Sequence, residues 1–204
     1  VGCGPGMQTL DLAGLTRGSI TAVDTHQPFL DRLQETVVQR NLTDRIIALN
    51  LDMLSIDFAP GSFDLIWAEG SIYIMGFERA LQAWRPLLRN PGYLAASHIS
   101  WLRPDLPDDL MAFWDEAYPD IQNIETNLNI IRKCGYDPIG HFALPESDWW
   151  DYYLPIQQKL PALKDKYQDN ADALAVVQME ENEIELYRRY SSYYGYVFYL
   201  MQAR

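Results

Sequence analysis

The feature that most constrains this chain is a glycine-rich run at its start, Val1-Gly2-Cys3-Gly4-Pro5-Gly6, followed by Asp24 after an apolar run at 20–23. Glycines tolerate positive φ angles and lack a Cβ atom, so backbone N–H groups can approach a ligand closely. A carboxylate about twenty residues later, at the end of a strand, can accept two hydrogen bonds from a ribose diol. The pair therefore predicts a site for an adenosine-containing cofactor.

The spacing of the glycines indicates which kind of cofactor is bound. Dinucleotide loops have the pattern G-x-G-x-x-G, and their helix N-terminus receives a pyrophosphate. Here the glycines fall at positions 2, 4 and 6, and Met7 follows them. This spacing favours a nucleoside without a pyrophosphate. The run resembles the first motif of the class I S-adenosylmethionine-dependent methyltransferases.

The resemblance continues along essentially the whole chain. Asp24 matches the family's ribose-binding acid, and Asp52-Met53 matches the position that faces the adenine. The segment 62–70 resembles the fourth strand and the turn that borders the reacting methyl group. Asn90-Pro91-Gly92 resembles the loop into the fifth strand, with one glycine fewer than usual. The resemblance implies a Rossmann-like α/β fold, doubly wound around a mostly parallel seven-strand sheet, and S-adenosylmethionine as cofactor.

The resemblance also assigns residues to the cofactor. They are Gly2, Cys3, Gly4, Gly6, Asp24, Thr25, Asp52, Met53 and Glu69.

The length and the cysteines describe a small intracellular protein. A chain of 204 residues suits one domain over 1–204, and no stretch reaches the roughly 18 consecutive apolar residues of a membrane span. Cys3 and Cys134 form neither a disulfide framework nor a metal-ligand cluster, so no metal is predicted. We therefore expect a cytoplasmic protein that does not bind membranes.

The charge balance excludes one class of partner. The chain has 28 acidic and 16 basic residues, and its formal net charge is -12. Such a surface repels phosphate backbones, so nucleic acid is not expected as the acceptor. The predicted partner is a small-molecule methyl acceptor, and the chain is a possible homodimer.

Strand-like and helix-like segments alternate through residue 100, as in a parallel sheet covered on both faces. The predicted strands lie at 19–24, 45–50, 63–68 and 93–99, and helices are predicted at 28–41 and 77–88. The later part of the chain predicts helices at 108–118 and 121–134 and strands at 135–144 and 196–202.

The segment 145–194 lies between the last two predicted strands and is helical and rich in aromatic residues. Ligands of open α/β sheets bind at the carboxyl ends of the strands, so we predict that this insertion is a helical lid. The predicted acceptor-lining side chains, within and outside the lid, are Tyr73, Trp101, Trp149 and Tyr193.

The family has a first strand directly before the glycine loop, in the middle of the sheet. No such strand lies within the 204 residues, and an empty central position would remove hydrogen bonds from both flanking strands. We therefore expect the natural gene to encode a further helix and strand before Val1. We also expect the 204 residues alone to bind the cofactor poorly.

Three side chains are candidates for catalysis: Glu69, Tyr73 and His98. Glu69 follows the fourth predicted strand, and Tyr73 lies in the turn after it. His98 is predicted to point outward, because it alternates with Ile99 near the end of the fifth strand. A base is needed only when the acceptor must lose a proton.

The predicted function is methyl transfer from S-adenosylmethionine to a small molecule by in-line displacement, in which positioning supplies much of the acceleration. The turn at 69–73 with Gly76-Phe77-Glu78-Arg79 resembles a bacterial small-molecule subgroup. Two alternatives remain open at this point. One is a non-catalytic protein that binds S-adenosylmethionine, and the other is a nicotinamide-dependent oxidoreductase.

Overall fold

The computed structural model describes residues 1–204. The seven strands are β1 (Ile20–Asp24), β2 (Ile46–Asn50), β3 (Phe63–Ala68), β4 (Leu88–Trp101), β5 (Gln122–Asn123), β6 (Tyr136–Ala143) and β7 (Tyr194–Ala203). The seven α-helices are α1 (Met7–Leu15), α2 (Gln27–Gln39), α3 (Phe77–Trp84), α4 (Asp108–Ala117), α5 (Ile124–Lys133), α6 (Glu146–Lys166) and α7 (Ala171–Tyr190). Short 3-10 turns lie at Met53–Ser55, Ile72–Ile74 and Arg85–Leu87.

The strands form two sheets. β1 and β2 pair in parallel, with Ile20 opposite Ile46 and Asp24 opposite Asn50. The second sheet has the order β3-β4-β7-β6, and the short β5 pairs with the end of β4. β3 and β5 both run parallel to β4. The architecture is a Rossmann-like α/β fold.

The division into two sheets falls between β1 and β3, where the central first strand of the family was expected to be missing. The residues that lie there are those of the glycine run. The Val1 nitrogen donates to the Trp67 carbonyl of β3 at 2.7 Å, and the Cys3 amide donates to the Val23 carbonyl of β1 at 3.0 Å. The glycine run thus makes one backbone hydrogen bond to each strand, and no ladder joins β1 to β3.

The residues group into two compact units. Unit 1 comprises Val1–His98, Thr126–His141 and Phe198–Arg204, and unit 2 comprises Ile99–Glu125 and Phe142–Val197.

Unit 1 contains the glycine run and the helices that cover β1 and β2. Pro28 lies in the first turn of α2. A backbone N–H at this position has no acceptor within the helix, so its absence in proline costs no hydrogen bond. The apolar face of α2 contributes Leu33 and Val37 to a core that also holds Ala13, Ala22 and Ile46. β4 is buried almost continuously from Leu94 to Ser100, as expected for a strand covered on both faces.

Unit 2 has a core dominated by aromatic side chains. Its buried residues include Trp149 and Tyr153 of α6, Tyr187 of α7 and Tyr194. The Trp149 ring stacks on the Tyr187 ring with centroids 4.5 Å apart and planes at 17°. Ring pairs of this kind stabilise a core beyond the area that they bury.

Most of the predicted elements are found within one or two residues of their expected bounds. β3 coincides with the predicted strand at 63–68, and the last two strands lie at Tyr136–Ala143 and Tyr194–Ala203. The predicted lid segment consists of two long helices, α6 and α7. The first helix, α1, was not predicted, because its short apolar pattern is not clearly periodic.

Three boundaries were wrong for identifiable reasons. The helix predicted at 121–134 begins at Ile124, because Gln122 and Asn123 pair with the end of β4. The helix predicted at 77–88 ends at Trp84, since Pro86 lies in the 3-10 turn that follows. The segment 90–92, predicted as a loop, lies inside β4, whose pairing with β3 is irregular between Phe63 and Leu65.

Candidate active site

The glycine run has a backbone that only glycine adopts without strain. Gly2, Gly4 and Gly6 have φ angles of 64°, 51° and 92°. A Cβ atom on Gly2 would clash with the Cβ atom of Ser71, and one on Gly6 would clash with Cδ1 of Leu33. A Cβ atom on Gly4 would meet nothing within 4 Å. Two of the glycines therefore pack against the protein, and Gly4 leaves open space.

Asp24 holds this run against the end of β1. Its Oδ2 atom accepts a hydrogen bond from the Gly4 amide at 2.8 Å, and its Oδ1 atom accepts one from the His26 amide at 2.9 Å. Each carboxylate oxygen has a second lone-pair direction. Asp24 can therefore fix the loop and still accept hydrogen bonds from a ligand.

The loop leads directly into α1. Gly6, in the left-handed conformation, precedes the first residue of the helix, and the Gly6 amide donates to the Cys3 carbonyl at 3.0 Å. The remaining amides of the first turn have no acceptor within the helix, which makes this end attractive to electronegative ligand atoms.

Cys3 lies in the loop but is not a reactive thiol. Burial raises its pKa to about 11, and the nearby Asp24 carboxylate acts in the same direction. The thiol is therefore neutral at physiological pH, and its Sγ atom lies 3.5 Å from the Gly4 carbonyl oxygen.

Met53 and its neighbours follow the end of β2. The Met53 methyl group would lie 3.6 Å from a Cβ atom on Gly2, so this side chain borders the glycine run. Asp52 is exposed and caps the 3-10 turn by accepting from the Leu54 amide at 2.9 Å. Thr25 is exposed, and its carbonyl accepts from the Asn50 amide group at 3.4 Å.

Glu69 lies at the end of β3, beside the glycine run. Its Oε2 atom accepts a hydrogen bond from Trp67 Nε1 at 3.1 Å, and its Oε1 atom lies 3.4 Å from Gln8 Nε2 of α1. Gly2, Cys3 and Glu69 line one groove in unit 1. The two donors, Trp67 and Gln8, are uncharged side chains that orient the carboxylate beside this groove.

Two serines that were not predicted as site residues contact the start of the glycine run and the turn after β3. Ser71 is buried and donates to the Val1 carbonyl at 3.0 Å, and Ser97 accepts from the Gly70 amide at 2.8 Å. Ser71 lies three residues after the end of β3, and Ser97 lies within β4. A small polar residue at either position is a weak signal in a single sequence.

Tyr73 and His98 have different environments. Tyr73 is 44% exposed, in the 3-10 turn after Ser71. His98 is only 1% exposed, and its ring stacks on that of Phe77 with centroids 4.5 Å apart. The prediction that His98 points outward was wrong, because β4 is covered on both faces. Burial lowers the pKa of His98 to about 4, so the ring is neutral at physiological pH.

The other predicted side chains belong to unit 2. Trp149 is buried in its aromatic core, and Trp101 contacts Tyr194 edge-on with ring centroids 6.4 Å apart. Tyr193 is partly buried, and the Arg103 guanidinium lies 4.5 Å from the centre of its ring. The structure thus collects the predicted cofactor residues in unit 1 and three of the four acceptor-lining residues in unit 2.

None of the helices of this structure combines the length and the apolar character needed to cross a membrane. No group of three or more His, Cys, Asp or Glu side chains is arranged to hold a metal ion.

The first part of the chain is similar to known methyltransferases. Residues 1–92 match a family described as "Methyltransferase domain". Among curated proteins, the chain is 21% identical over 194 residues to a sterol 24-C-methyltransferase from Gibberella zeae. That match covers 89% of this chain and 49% of the relative, so the chain spans about half of that relative's length.

Solved structures show the same fold. A methyltransferase from Geobacter sulfurreducens in complex with S-adenosyl-L-homocysteine superposes with a TM-score of 0.81 at 17% identity, over 100% of this chain and 82% of that one. A geranyl diphosphate C-methyltransferase from Streptomyces coelicolor, in complex with geranyl diphosphate and S-adenosyl-L-homocysteine, gives 0.69 at 15% identity, over 100% and 69%. Residues 1–92, which include the glycine loop and Asp24, thus match a methyltransferase domain, and the whole chain has the fold of S-adenosylmethionine-dependent methyltransferases.

Proposed function

We propose that this protein transfers the methyl group of S-adenosylmethionine to a small-molecule acceptor. The observation that carries the proposal is the glycine run. Its Gly4 amide is fixed to Asp24, whereas the Cβ side of Gly4 is open. A loop that only packed against the protein would have all three glycines enclosed, as Gly2 and Gly6 are.

The residues around this loop suit the parts of that cofactor. The proposed arrangement has Asp24 and Thr25 at the ribose, Asp52 and Met53 at the adenine, and the 2–6 run with Glu69 at the methionine portion. When bound, the cofactor supplies an electrophilic methyl group on a sulfonium. The residues of this chain then have to orient the two reactants and exclude water, which can contribute much of the acceleration.

Among the three candidate catalytic residues, Glu69 is the best supported. It shares a groove with Gly2 and Cys3, and its carboxylate is oriented by Trp67 and Gln8. His98 is buried, neutral and stacked on Phe77, which favours a packing role. Tyr73 has enough exposure to contact an acceptor.

We further propose that unit 2 supplies acceptor specificity, with α6 and α7 as a helical lid over 145–194. Its support is the concentration of large aromatic residues in these helices, which suits an acceptor with an apolar body. The names of two similar proteins describe methylation of a sterol and of geranyl diphosphate, which are both small molecules with apolar bodies.

Calorimetry followed by a turnover assay tests the proposal. We expect S-adenosylhomocysteine to show a heat of binding and NAD to show none. Transfer of a labelled methyl group should then be measured across a panel of small acceptors. Binding of NAD instead would overturn the cofactor assignment. Binding of S-adenosylhomocysteine with no transfer across the panel would favour the non-catalytic alternative.

A further inference from the structure

The groove beside the glycine run is lined by one carboxylate, and that carboxylate has no cation partner. Glu69 lines the groove together with Gly2 and Cys3, and it takes part in none of the ion pairs of this structure. The empty volume of the groove is about 380 Å³, part of it open to solvent. Small-molecule pockets have volumes of about 300 to 1,000 Å³. The groove therefore has room for a ligand group, which would meet a negative charge there.

Two side chains from different elements hold this carboxylate. Trp67 Nε1 of β3 donates to Glu69 Oε2 at 3.1 Å, and Gln8 Nε2 of α1 donates to Oε1 at 3.4 Å. The Trp67 ring also packs against the ring of Phe198 of β7, with centroids 5.0 Å apart. The indole donor is thus fixed by its strand and by a second aromatic ring.

The two donors leave part of the carboxylate unused. A carboxylate has about four lone-pair directions on its two oxygens, and Trp67 and Gln8 take one on each. Both donors are neutral, so the charge of Glu69 is not compensated. A cationic N–H group of a ligand could use the remaining directions in charge-assisted hydrogen bonds. Because the glutamate rotamer is already held, less conformational entropy is lost when such a ligand binds.

We propose that Trp67 and Gln8 are positioning residues, which hold Glu69 to receive the ammonium group in the methionine portion of S-adenosylmethionine. This inference rests on the proposed function, because it assigns one group of that cofactor to one carboxylate. Asp24, the other carboxylate beside the glycine run, has its two oxygens bonded to the Gly4 and His26 amides and is the proposed ribose ligand. Glu69 is therefore the carboxylate that remains for the ammonium.

Three ligands that share the adenosine and the sulfur atom test this assignment. S-adenosylhomocysteine has an ammonium and a carboxylate, its α-keto analogue has the carboxylate alone, and 5′-methylthioadenosine has neither. Their affinities for the full chain are measured by titration calorimetry at neutral pH. We expect S-adenosylhomocysteine to bind at least about tenfold more tightly than the α-keto analogue.

Two variants remove the donors one at a time. Trp67→Phe removes the indole N–H and keeps a ring beside Phe198. It should weaken S-adenosylhomocysteine about tenfold and leave the other two ligands unchanged, because only the ammonium contacts Glu69. Gln8→Met removes the longer hydrogen bond and should cause a loss of the same kind, of about two- to threefold. Since Gln8 is exposed, this variant should fold even if Trp67→Phe does not.

A matched control and a double-mutant cycle show whether Trp67 acts through Glu69. Trp150 Nε1 also donates to a glutamate, Glu146, at 3.0 Å, but within α6. Trp150→Phe should therefore change none of the three affinities. Glu69→Gln should weaken S-adenosylhomocysteine selectively. In that background, Trp67→Phe should cause no further loss, because the carboxylate that it positions is absent.

The outcomes separate the two proposals. If S-adenosylhomocysteine does not bind, the proposed function fails and this inference fails with it. If it binds but the α-keto analogue binds equally tightly, the inference alone is overturned. It is also overturned if Trp67→Phe weakens all three ligands equally, or if neither Trp67→Phe nor Gln8→Met weakens S-adenosylhomocysteine selectively. Additive losses in Trp67→Phe and Glu69→Gln would overturn the positioning role, because Trp67 would then act independently of Glu69.

Discussion

The Oδ2 atom of Asp24 accepts a hydrogen bond from the Gly4 amide at 2.8 Å, so one side chain at the end of β1 fixes the conformation of the glycine run. The same carboxylate is the proposed ligand of the ribose. Loss of its charge should therefore affect both the shape of the empty loop and the affinity for the cofactor.

Asp24→Asn tests this double role. An asparagine has an NH2 group, which only donates, in place of one carboxylate oxygen. Its side chain therefore cannot accept hydrogen bonds from both the Gly4 and the His26 amides on separate oxygens. We expect the affinity for S-adenosylhomocysteine to fall about ten- to a hundredfold, as for the loss of a charge-assisted hydrogen bond. Titration calorimetry measures the change. Asp31→Asn, on the exposed face of α2, is the control, and equal affinities for the two variants would contradict the assignment.

The three glycines should respond differently to alanine. Gly2→Ala and Gly6→Ala place a Cβ atom against Ser71 and Leu33, so thermal denaturation should show a clear loss of stability. Gly4→Ala meets no such contact and should cost only about 1 to 2 kcal/mol for its positive φ angle. Its main effect should be weaker binding of S-adenosylhomocysteine.

Gly61→Ala is the matched control for that comparison. Gly61 also has a positive φ angle, 67°, and open space at its Cβ position, but it lies outside the proposed site. If Gly4→Ala and Gly61→Ala lowered stability equally and neither changed cofactor affinity, the open side of Gly4 would not face the cofactor.

The buried imidazole of His98 should make stability depend on pH. Its pKa is about 4 in the folded protein and about 6.5 in the unfolded chain, so the unfolded state binds the proton first as the pH falls. Stability is therefore complete above pH of about 6.5. It is lost progressively down to pH of about 4, by about 2 to 4 kcal/mol in total.

Denaturation with urea between pH 4 and pH 7.5 measures this dependence. His98→Phe preserves a planar ring beside Phe77 and should flatten the curve, with His98→Asn as a smaller alternative if the larger ring does not fit. His141→Gln, at an exposed position, should keep the slope of the natural sequence. An unchanged slope in both His98 variants would show that other groups dominate the acid loss.

The bond between Tyr153 and Glu183 should hold α6 against α7. Tyr153→Phe removes this hydrogen bond to a charged group, which contributes about 1.5 to 3 kcal/mol. We expect faster hydrogen exchange in Glu146–Lys166 and Ala171–Tyr190, and unchanged exchange in β4. Tyr152→Phe, on the exposed side of α6, is the control. Exchange in these helices that is as slow as in β4, and insensitive to cofactor and substrate, would contradict the lid proposal.

Local patterns were sufficient for much of the fold and for the positive φ angles of the glycine run. The strand Phe63–Ala68 is a short apolar run between turn residues, and Asp24 follows the first glycines at a spacing that the strand and helix between them determine. These signals lie within about twenty residues of chain, where neighbours in sequence are also neighbours in space.

The features that were not predicted depend on residues far apart in the chain. Ser71 meets Gly2 across 69 positions, and Tyr153 meets Glu183 across 30. Nothing in the local pattern around either residue specifies its partner. The burial of His98 is a case of the same kind, because alternation along a strand predicts an exposed face only when one face of the sheet is uncovered.

Val1 is hydrogen-bonded to β3 and Cys3 to β1, and this link between the two sheets has a thermodynamic consequence. A cofactor seated on the glycine run would touch groups anchored to both sheets, so its binding free energy would be added to their association. By mass action, a hundredfold excess over the dissociation constant contributes about 2.7 kcal/mol. Binding of S-adenosylhomocysteine to these 204 residues should therefore slow hydrogen exchange in β1, β2 and also α2, since α2 contacts the glycine run through Leu33.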